Sequence, residues 1–409
     1  EVALGGYFME AAGWERAHGY AANEPTLLVK YRDQIPQRMN EWDSRHFWEV
    51  SNAEQLALSD DVGMVNLSHF AIYDIDGPSA EHLLEYLAVA KVGGATQVGK
   101  GVYTHFLDEK GGIRADLTIV RLSEDCFRVI CGGGTGHRDL VWIKQMAAAR
   151  HADIEIHNRT HQLATLGLWG PNARKVLASL VDDTNAVSDA KFPFATAANI
   201  EIAGINIWAF RISYVGELGW ELYFDFADGL QLWDLFADAG VNPVGIETYA
   251  NSRRLEKSLR LQNADLETDY NLHEADLARK LVKKADFHGK AAYVAQKAAD
   301  QQASYLCTMV MLKNVDASGV ARYPVGEWPI LNKETREVLL DEFGRRSICT
   351  SVEYGPSLGS NIILGYIPAE FASVGTELLL EYFCEEYPIR IEAVGYAPLL
   401  DPENLRVRS

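Results

Sequence analysis

Cysteine is scarce in this chain. Cys126, Cys131, Cys307, Cys349 and Cys384 are the only five in 409 residues, an odd number with no Cys-x-x-Cys pair. That argues against a disulfide scaffold or a thiolate zinc site, and for ordinary buried thiols in a reducing compartment, the cytoplasm. Long apolar runs are missing as well: no stretch approaches the roughly 20 residues needed to cross a bilayer. Positive charge is in deficit. The net charge of −19 repels nucleic acid and anionic membrane, which both require clustered Lys and Arg. A small anion needs only a local basic spot, and Arg253-Arg254-Leu255-Glu256-Lys257-Ser258-Leu259-Arg260 offers one. Its plainer reading is a solvated helix face carrying i,i+3 and i,i+4 charge pairs. The start, Glu1-Val2-Ala3-Leu4-Gly5-Gly6, has no Met, basic region or long apolar core, so it does not read as a signal peptide. The missing Met points to trimming or to a chain cut from a longer polypeptide.

Several catalytic signatures are also absent. Gly132-Gly133-Gly134-Thr135-Gly136 lies between a strand and a helix, but position 137 is His. The spacing is therefore not Gly-x-Gly-x-x-Gly, and no Gly-Lys-Ser/Thr ending follows, which argues against a dinucleotide site. Backbone N–H groups at that helix start could still meet an anion. His157 and His161 are four apart, a zinc spacing only on a helix with a third ligand. The alternation Ile154-Glu155-Ile156 reads instead as strand and turn, so these are surface histidines and no metal is expected.

What is present is the mix of a soluble globular protein, 48% hydrophobic and 23% charged, long enough for two or three domains. Residues 1–52 contain Trp14, Trp42 and Trp48 without clean periodicity and read as a lead-in segment wrapped on a body. The clearest organising signal is an internal echo. Residues 72–87 and 165–180 each run from a short apolar strand through Gly-Pro-x-Ala into a helix with apolar residues at i, i+3, i+4 and i+7. Gly takes the turn out of the strand, and Pro sits in the first helical turn, where its missing N–H costs nothing. Units 93 residues apart imply a duplicated α+β core. Strands are expected at 101–107, 117–122 and 126–131, a helix from about His137 to Arg150, a strand pair around 199–214 and 220–225, and a helix over 227–239. After a helix-rich connector at 283–299, the texture changes to short strands and turns at 305–312, 346–352, 362–366, 377–383 and 387–393, a small β-barrel or sandwich. The division is a lead-in of 1–52, a body of 53–300 and a C-terminal domain of 301–409.

Two constellations carry chemistry. In Gly111-Gly112-Ile113-Arg114-Ala115-Asp116-Leu117-Thr118, Asp116 would ordinarily be a strand-start turn residue. The double glycine lets the backbone approach a neighbour, however. Tyr103 on the preceding hairpin strand can sit across from Asp116, and Thr118 shares its face. In Arg211-Ile212-Ser213-Tyr214-Val215-Gly216-Glu217-Leu218-Gly219-Trp220-Glu221, Glu217 reads as the exposed tip of a hairpin. Glu221 is an acceptor of the kind an aminopyrimidinone ring asks for, because a carboxylate meets its N–H and NH2 donors in two places.

At these residues the sequence resembles the aminomethyltransferase family founded by the glycine cleavage T-protein. It is most similar to the C-terminal folate domain of dimethylglycine and sarcosine dehydrogenases. The runs Gly-Gly-Ile-Arg-Ala-Asp-Leu-Thr and Ser-Tyr-Val-Gly-Glu-Leu-Gly-Trp-Glu-Leu, Arg254-Leu255-Glu256-Lys257, Ala12-Gly13-Trp14-Glu15-Arg16 and Asp401-Pro402 carry the resemblance over nearly the whole chain. It implies a three-lobed ring with tetrahydrofolate at its centre, plus the C-terminal β-barrel. The implied activity is tetrahydrofolate-dependent transfer of a methyl or methylene group from a methylated small molecule to N5. Carried over residue by residue, Asp116 is the catalytic carboxylate, Tyr103 and Thr118 line its pocket, Tyr214 and Glu221 hold the pterin, and Arg254 joins the cofactor site. The dehydrogenases carry an FAD domain that this chain lacks, which suggests a flavoprotein partner or a role as the folate subunit of such an enzyme. A non-catalytic folate-binding accessory is a third reading. Ala250-Asn251-Ser252 stands where the T-protein has Ala-Arg-Asp, and the Lys-Gly-Cys signature of the iron–sulfur repair branch is absent. Trp14 and Trp220 could present a face to a cationic methyl donor, or could be core.

Overall fold

A computed structural model describes residues 1–38, 45–94, 96–278 and 282–408; Trp42 lies outside them. The chain opens with an antiparallel hairpin, β1 (Gly6–Ala11) and β2 (Trp14–Tyr20), followed by a helix, Trp48–Asp60. That helix is buried on nearly every side, so it has no amphipathic stripe to betray it. It also runs across residue 52, so the lead-in and the body share an element. Glu54 at its centre accepts from the backbone of Tyr20 and Gly245 and from Asn23, tying the lead-in to the body.

The body contains β3 (Gly63–Asn66), β4 (Ala71–Asp76), β5 (Gly101–Leu107), β6 (Ile113–Arg121), β7 (Cys126–Cys131), β8 (Glu155–Asn158), β9 (Leu163–Trp169), β10 (Ala197–Ile202), β11 (Ile205–Phe210), β12 (Gly219–Asp225) and β13 (Asn242–Pro243). They form two sheets, β5-β6-β7-β4-β8 and β10-β11-β12-β9-β3-β13. The echo seen in the sequence is a duplication of topology. In each half the strand before Gly-Pro (β4 or β9) leads to a helix, Ala80–Leu87 or Ala173–Leu180. A three-stranded meander follows, and its last strand pairs back on the first (β7 on β4, β12 on β9). Gly77 and Gly170 sit at φ 130° and 132°, a region closed to other residues. A Cβ on Gly77 would lie 2.7 Å from the Asp153 carbonyl oxygen, and one on Gly170 would lie 2.2 Å from that of Asp61. The helix expected from His137 begins earlier and spans Gly133–Ala149. Its glycines let it press on the sheet: a Cβ at Gly133 would lie 2.0 Å from the His69 carbonyl, and one at Gly136 would lie 2.1 Å from Ala71 Cβ. The glycine run therefore serves close packing.

A third lobe completes the ring. β14 (Ser304–Met311), β15 (Ile330–Leu331), β16 (Cys349–Gly355), β17 (Ser360–Pro368), β18 (Glu377–Tyr382) and β19 (Glu385–Val394) order as β15-β18-β19-β14-β17-β16. The two outer strands rejoin, because Ile330 N–H donates to the Ser347 carbonyl and Cys349 N–H to that of Trp328, both at 2.9 Å. The sheet thus curls into a half-barrel whose outer strands meet locally. The first two lobes touch through Ala197 N–H to the Gly99 carbonyl and Gly101 N–H to that of Ala195. The segment around residue 271 links the first lobe to the barrel, by Ile113 N–H to the Tyr270 carbonyl and Leu306 N–H to that of Glu274. Between the two sheets lies a core that includes Phe70, Ile72, Val120, Ile130, Trp169, Phe210, Tyr223 and Tyr249. Each fully buried side chain of this size contributes on the order of 2 kcal/mol, and their faces fix where the two sheets meet. Among the described residues no helix is long and apolar enough to cross a membrane.

Candidate functional site

The hairpin β5–β6 builds one wall of the site. Asp108 closes its turn by accepting from the backbone of Lys110 and Gly112 at 2.9 and 2.8 Å. Gly112 is what the strand needs to approach the next segment, since a Cβ there would lie 2.1 Å from the Thr268 carbonyl oxygen. From Ile113 the strand alternates: Ile113, Ala115, Leu117 and Ile119 are buried, and Arg114, Asp116 and Thr118 are only partly so. The register pairs Tyr103 with Thr118 and His105 with Asp116. Tyr103 is thus the diagonal neighbour of Asp116, a separation that long side chains span.

Burial pushes the Asp116 carboxyl up to about 7; a hydrogen bond with the Tyr103 phenol pulls the other way, and the charge of Asp139 adds to the rise. Near neutral pH this carboxyl is poised between its two forms. Tyr103 keeps 40% of its surface open, and burial raises its phenol well above the usual range. His105 is buried, and its Nε2 lies 3.2 Å from the Tyr103 oxygen. Desolvation and the Arg260 charge lower its ring to about 3, so it is neutral.

The opposite wall comes from the segment after β11 and from β12. The Tyr214 phenol donates to the Arg260 carbonyl at 2.5 Å. Burial raises it, the Arg254 charge lowers it, and Asp116 raises it again, which places it close to that carboxyl. The Tyr214 ring lies 5.1 Å from that of Tyr249, which in turn stacks on Trp169 at 5.5 Å and 27°. Tyr249 is raised by burial, then by Glu221, Tyr214 and Asp116. It therefore lies within electrostatic reach of both carboxyls. Glu221 is 6% exposed, and burial raises it to about 7 against the opposing bond from Tyr223. Register, ring contacts and mutual electrostatics thus place Asp116, Tyr103, Thr118, Tyr214 and Glu221 in one neighbourhood, with His105 and Tyr249 added.

Other expectations change. Glu217 is not an exposed tip: it is 1% exposed and ion-paired with Arg253, and with Arg406 at 2.7 Å. The bend at Gly216, φ 70°, turns it inward. Arg254 does not open onto this neighbourhood. It is 2% exposed, and its guanidinium is held by the carbonyls of Ala250 and Leu259, by Asp265 and by Ser351. The stretch 253–260 is accordingly no solvated face; Arg253, Arg254, Glu256, Lys257 and Arg260 are all buried. Trp220, with no exposed surface, belongs to the core, with Arg174 5.3 Å above its ring. Trp14 stacks on His161 at 5.6 Å. All five cysteines are free thiols, and among the described residues no cluster of three or more His, Cys, Asp or Glu could hold a metal.

His105 was within reach of the sequence, two residues from Tyr103 on the same strand face. Tyr249 was not. It sits in a π-helical turn, Thr248–Ser252, whose side-chain directions follow neither the helical nor the strand period.

The GCVT N-terminal domain model matches residues 1–285, and the glycine cleavage T-protein C-terminal barrel domain model matches residues 326–394. Mitochondrial dimethylglycine dehydrogenase of Rattus norvegicus is 32% identical over 97% of this chain, which covers 43% of that protein. An aminomethyltransferase of Listeria monocytogenes is 30% identical over 82% of this chain and 87% of its own length. The chain thus spans less than half the length of the dehydrogenases it matches and most of the aminomethyltransferase. In three dimensions it matches the glycine cleavage system aminomethyltransferase T of Bartonella henselae, with a TM-score of 0.77 at 21% identity over 98% and 96% of the two chains. The chain belongs to the glycine cleavage T-protein family.

Proposed function

We propose that this member of the T-protein family transfers a one-carbon unit, methyl or methylene, from a methylated small molecule to N5 of tetrahydrofolate. The observation that carries the reading is the pair of carboxyls, Asp116 and Glu221, both raised to about 7 by burial, with the adjoining rings of Tyr249 and Tyr214 in electrostatic reach of them. The site fits the cofactor's ring chemistry: Glu221 can accept from adjacent N–H and NH2 donors, while Tyr103, Tyr214 and Tyr249 supply flat aromatic walls. Tetrahydrofolate supplies the nitrogen that takes up the carbon. In this reading Glu221 orients the pterin, and Thr118 and the tyrosines exclude water. Asp116 accepts or holds the proton exchanged at the folate nitrogens and steadies positive charge there. Holding both reactants in one site makes the transfer effectively unimolecular. Arg254 serves from behind, by fixing the segment that carries Tyr249 and Tyr214.

The match to dimethylglycine dehydrogenases over nearly the whole chain favours a second supply route, in which a flavoprotein partner delivers the carbon. Incubating the purified chain with tetrahydrofolate and a panel of N-, O- and S-methyl compounds, with and without such a partner, decides. Conversion by the chain alone supports the methyl-transfer reading, and conversion only with the partner supports the supply route. Folate binding with no conversion in either arm overturns both and leaves an accessory binder.

A further inference from the structure

Asp116, Tyr103 and His105 stand together on one face of the β5–β6 hairpin, and donor counting suggests a direction for the line they form. The Tyr103 oxygen lies 3.2 Å from His105 Nε2, and the Asp116 carboxyl, its diagonal neighbour on β6, acts on the same phenol. A phenol has one hydrogen, and an ionised carboxylate can only accept. A charged Asp116 can therefore take part in this line only by accepting the phenol hydrogen. The remaining contact holds only if His105 presents Nε2–H to the phenol oxygen, which a neutral imidazole does in one of its two tautomers. The two strands enforce this line: His105 stands opposite Asp116 and Tyr103 opposite Thr118. The His105 and Tyr103 rings meet edge-on at 4.9 Å, and His105 is 4% exposed, so water does not compete for its nitrogen.

We propose that His105 is a positioning residue for Asp116, acting through Tyr103: its Nε2–H anchors the phenol oxygen and so aims the phenol hydrogen at the carboxylate. The proposal rests on the one-carbon-transfer reading for its effect on rate, but its structural content is independent of it. The other groups facing Asp116 are Cys131 on β7, Asp139 on the helix behind it, and Tyr214 and Tyr249 across the site. The cysteine and tyrosines are neutral at working pH, and Asp139 acts against the anion, leaving the His105–Tyr103 line to favour it. Arg260 acts on Tyr103 and His105 from the far side.

The test is carboxyl titration by 13C NMR of the whole chain labelled at aspartate, with the Asp116 signal assigned by its loss in D116N. His105→Phe removes the anchor that aims the phenol hydrogen and should raise the Asp116 midpoint by up to about one pH unit, the order expected if the phenol's hydrogen bond to the charged carboxylate is lost with it. His105→Gln keeps an N–H at similar reach and should leave the midpoint where it was. In turnover, the alkaline shift of the pH profile should appear in the Phe variant and be absent from the Gln variant. If His105→Phe does not fold, His105→Met is read in the same way. An unmoved midpoint in the apolar variant, or a Gln variant displaced as far as it, overturns the proposal. The titration needs no substrate, so a chain that transfers no carbon overturns the functional reading and leaves this result standing.

Discussion

The Tyr223 phenol donates a 2.5 Å hydrogen bond to Glu221 Oε2, two residues back on the same strand. One carboxyl oxygen is thereby fixed, and the group is oriented before any ligand arrives. Because burial raises Glu221 to about 7, the acceptor form fades as the medium becomes acid. Tetrahydrofolate affinity should therefore fall as pH drops from 8 to 6. Glu221→Gln should weaken binding by about 10- to 100-fold, as expected for loss of a hydrogen bond to a charged group, and should flatten the pH dependence. Titration calorimetry at three pH values checks both.

The same two carboxyls make a stability prediction. Asp116 rises from 3.8 to about 7 and Glu221 from 4.5 to about 7 on folding, so between these limits the native state holds more protons than the unfolded chain. Stability is then fullest below the unfolded values and declines as pH rises through 7. Urea midpoints without folate should fall from pH 5 to pH 8, and Asp116→Asn and Glu221→Gln should each lessen that fall. A decline of equal size in both variants would show that these groups are not the protons involved.

Arg254 is part of the frame. Removing it leaves Asp265, which is 1% exposed, without its 2.7 Å partner. Arg254→Ala should cost about 3–5 kcal/mol of stability, the usual penalty for a stranded buried charge, measured by urea unfolding. A variant of normal stability that lost only folate affinity would return Arg254 to the ligand.

Much of this was legible from residue order. The Gly-Pro-x-Ala echo revealed the duplication because each glycine has a steric task no other residue performs, and the two-residue spacing of Asp116 and Thr118 put them on one face, although the strand begins at Ile113 and not at 117. The fates of Glu217 and Arg254 were not legible. Their burial depends on partners distant in sequence, Arg406 for one and Ser351 for the other, and a local pattern of charges cannot distinguish a solvated helix from a buried ion-pair network. The helix Trp48–Asp60 escaped for a related reason: surrounded by protein, it needs no polar face.

Gly170 tests the duplication. With φ 132° and the Asp61 carbonyl 2.2 Å from any added Cβ, Gly170→Ala should cost roughly 2 kcal/mol or more through strain and displacement, as should Gly77→Ala. Thermal unfolding of the two variants should show matched losses. A silent Gly170→Ala would mean the turn is not the constraint it is taken to be.

The central claim is that Asp116 serves turnover rather than cofactor binding. The direct measurement compares Asp116→Asn with the unaltered chain for tetrahydrofolate affinity and for conversion of a methyl donor that the unaltered chain accepts, supplied with its flavoprotein partner if one is required. The account predicts affinity within about threefold and conversion lowered by about 100-fold or more, the scale of a lost acid–base group. Unchanged conversion, or a loss explained wholly by weaker folate binding, would contradict it.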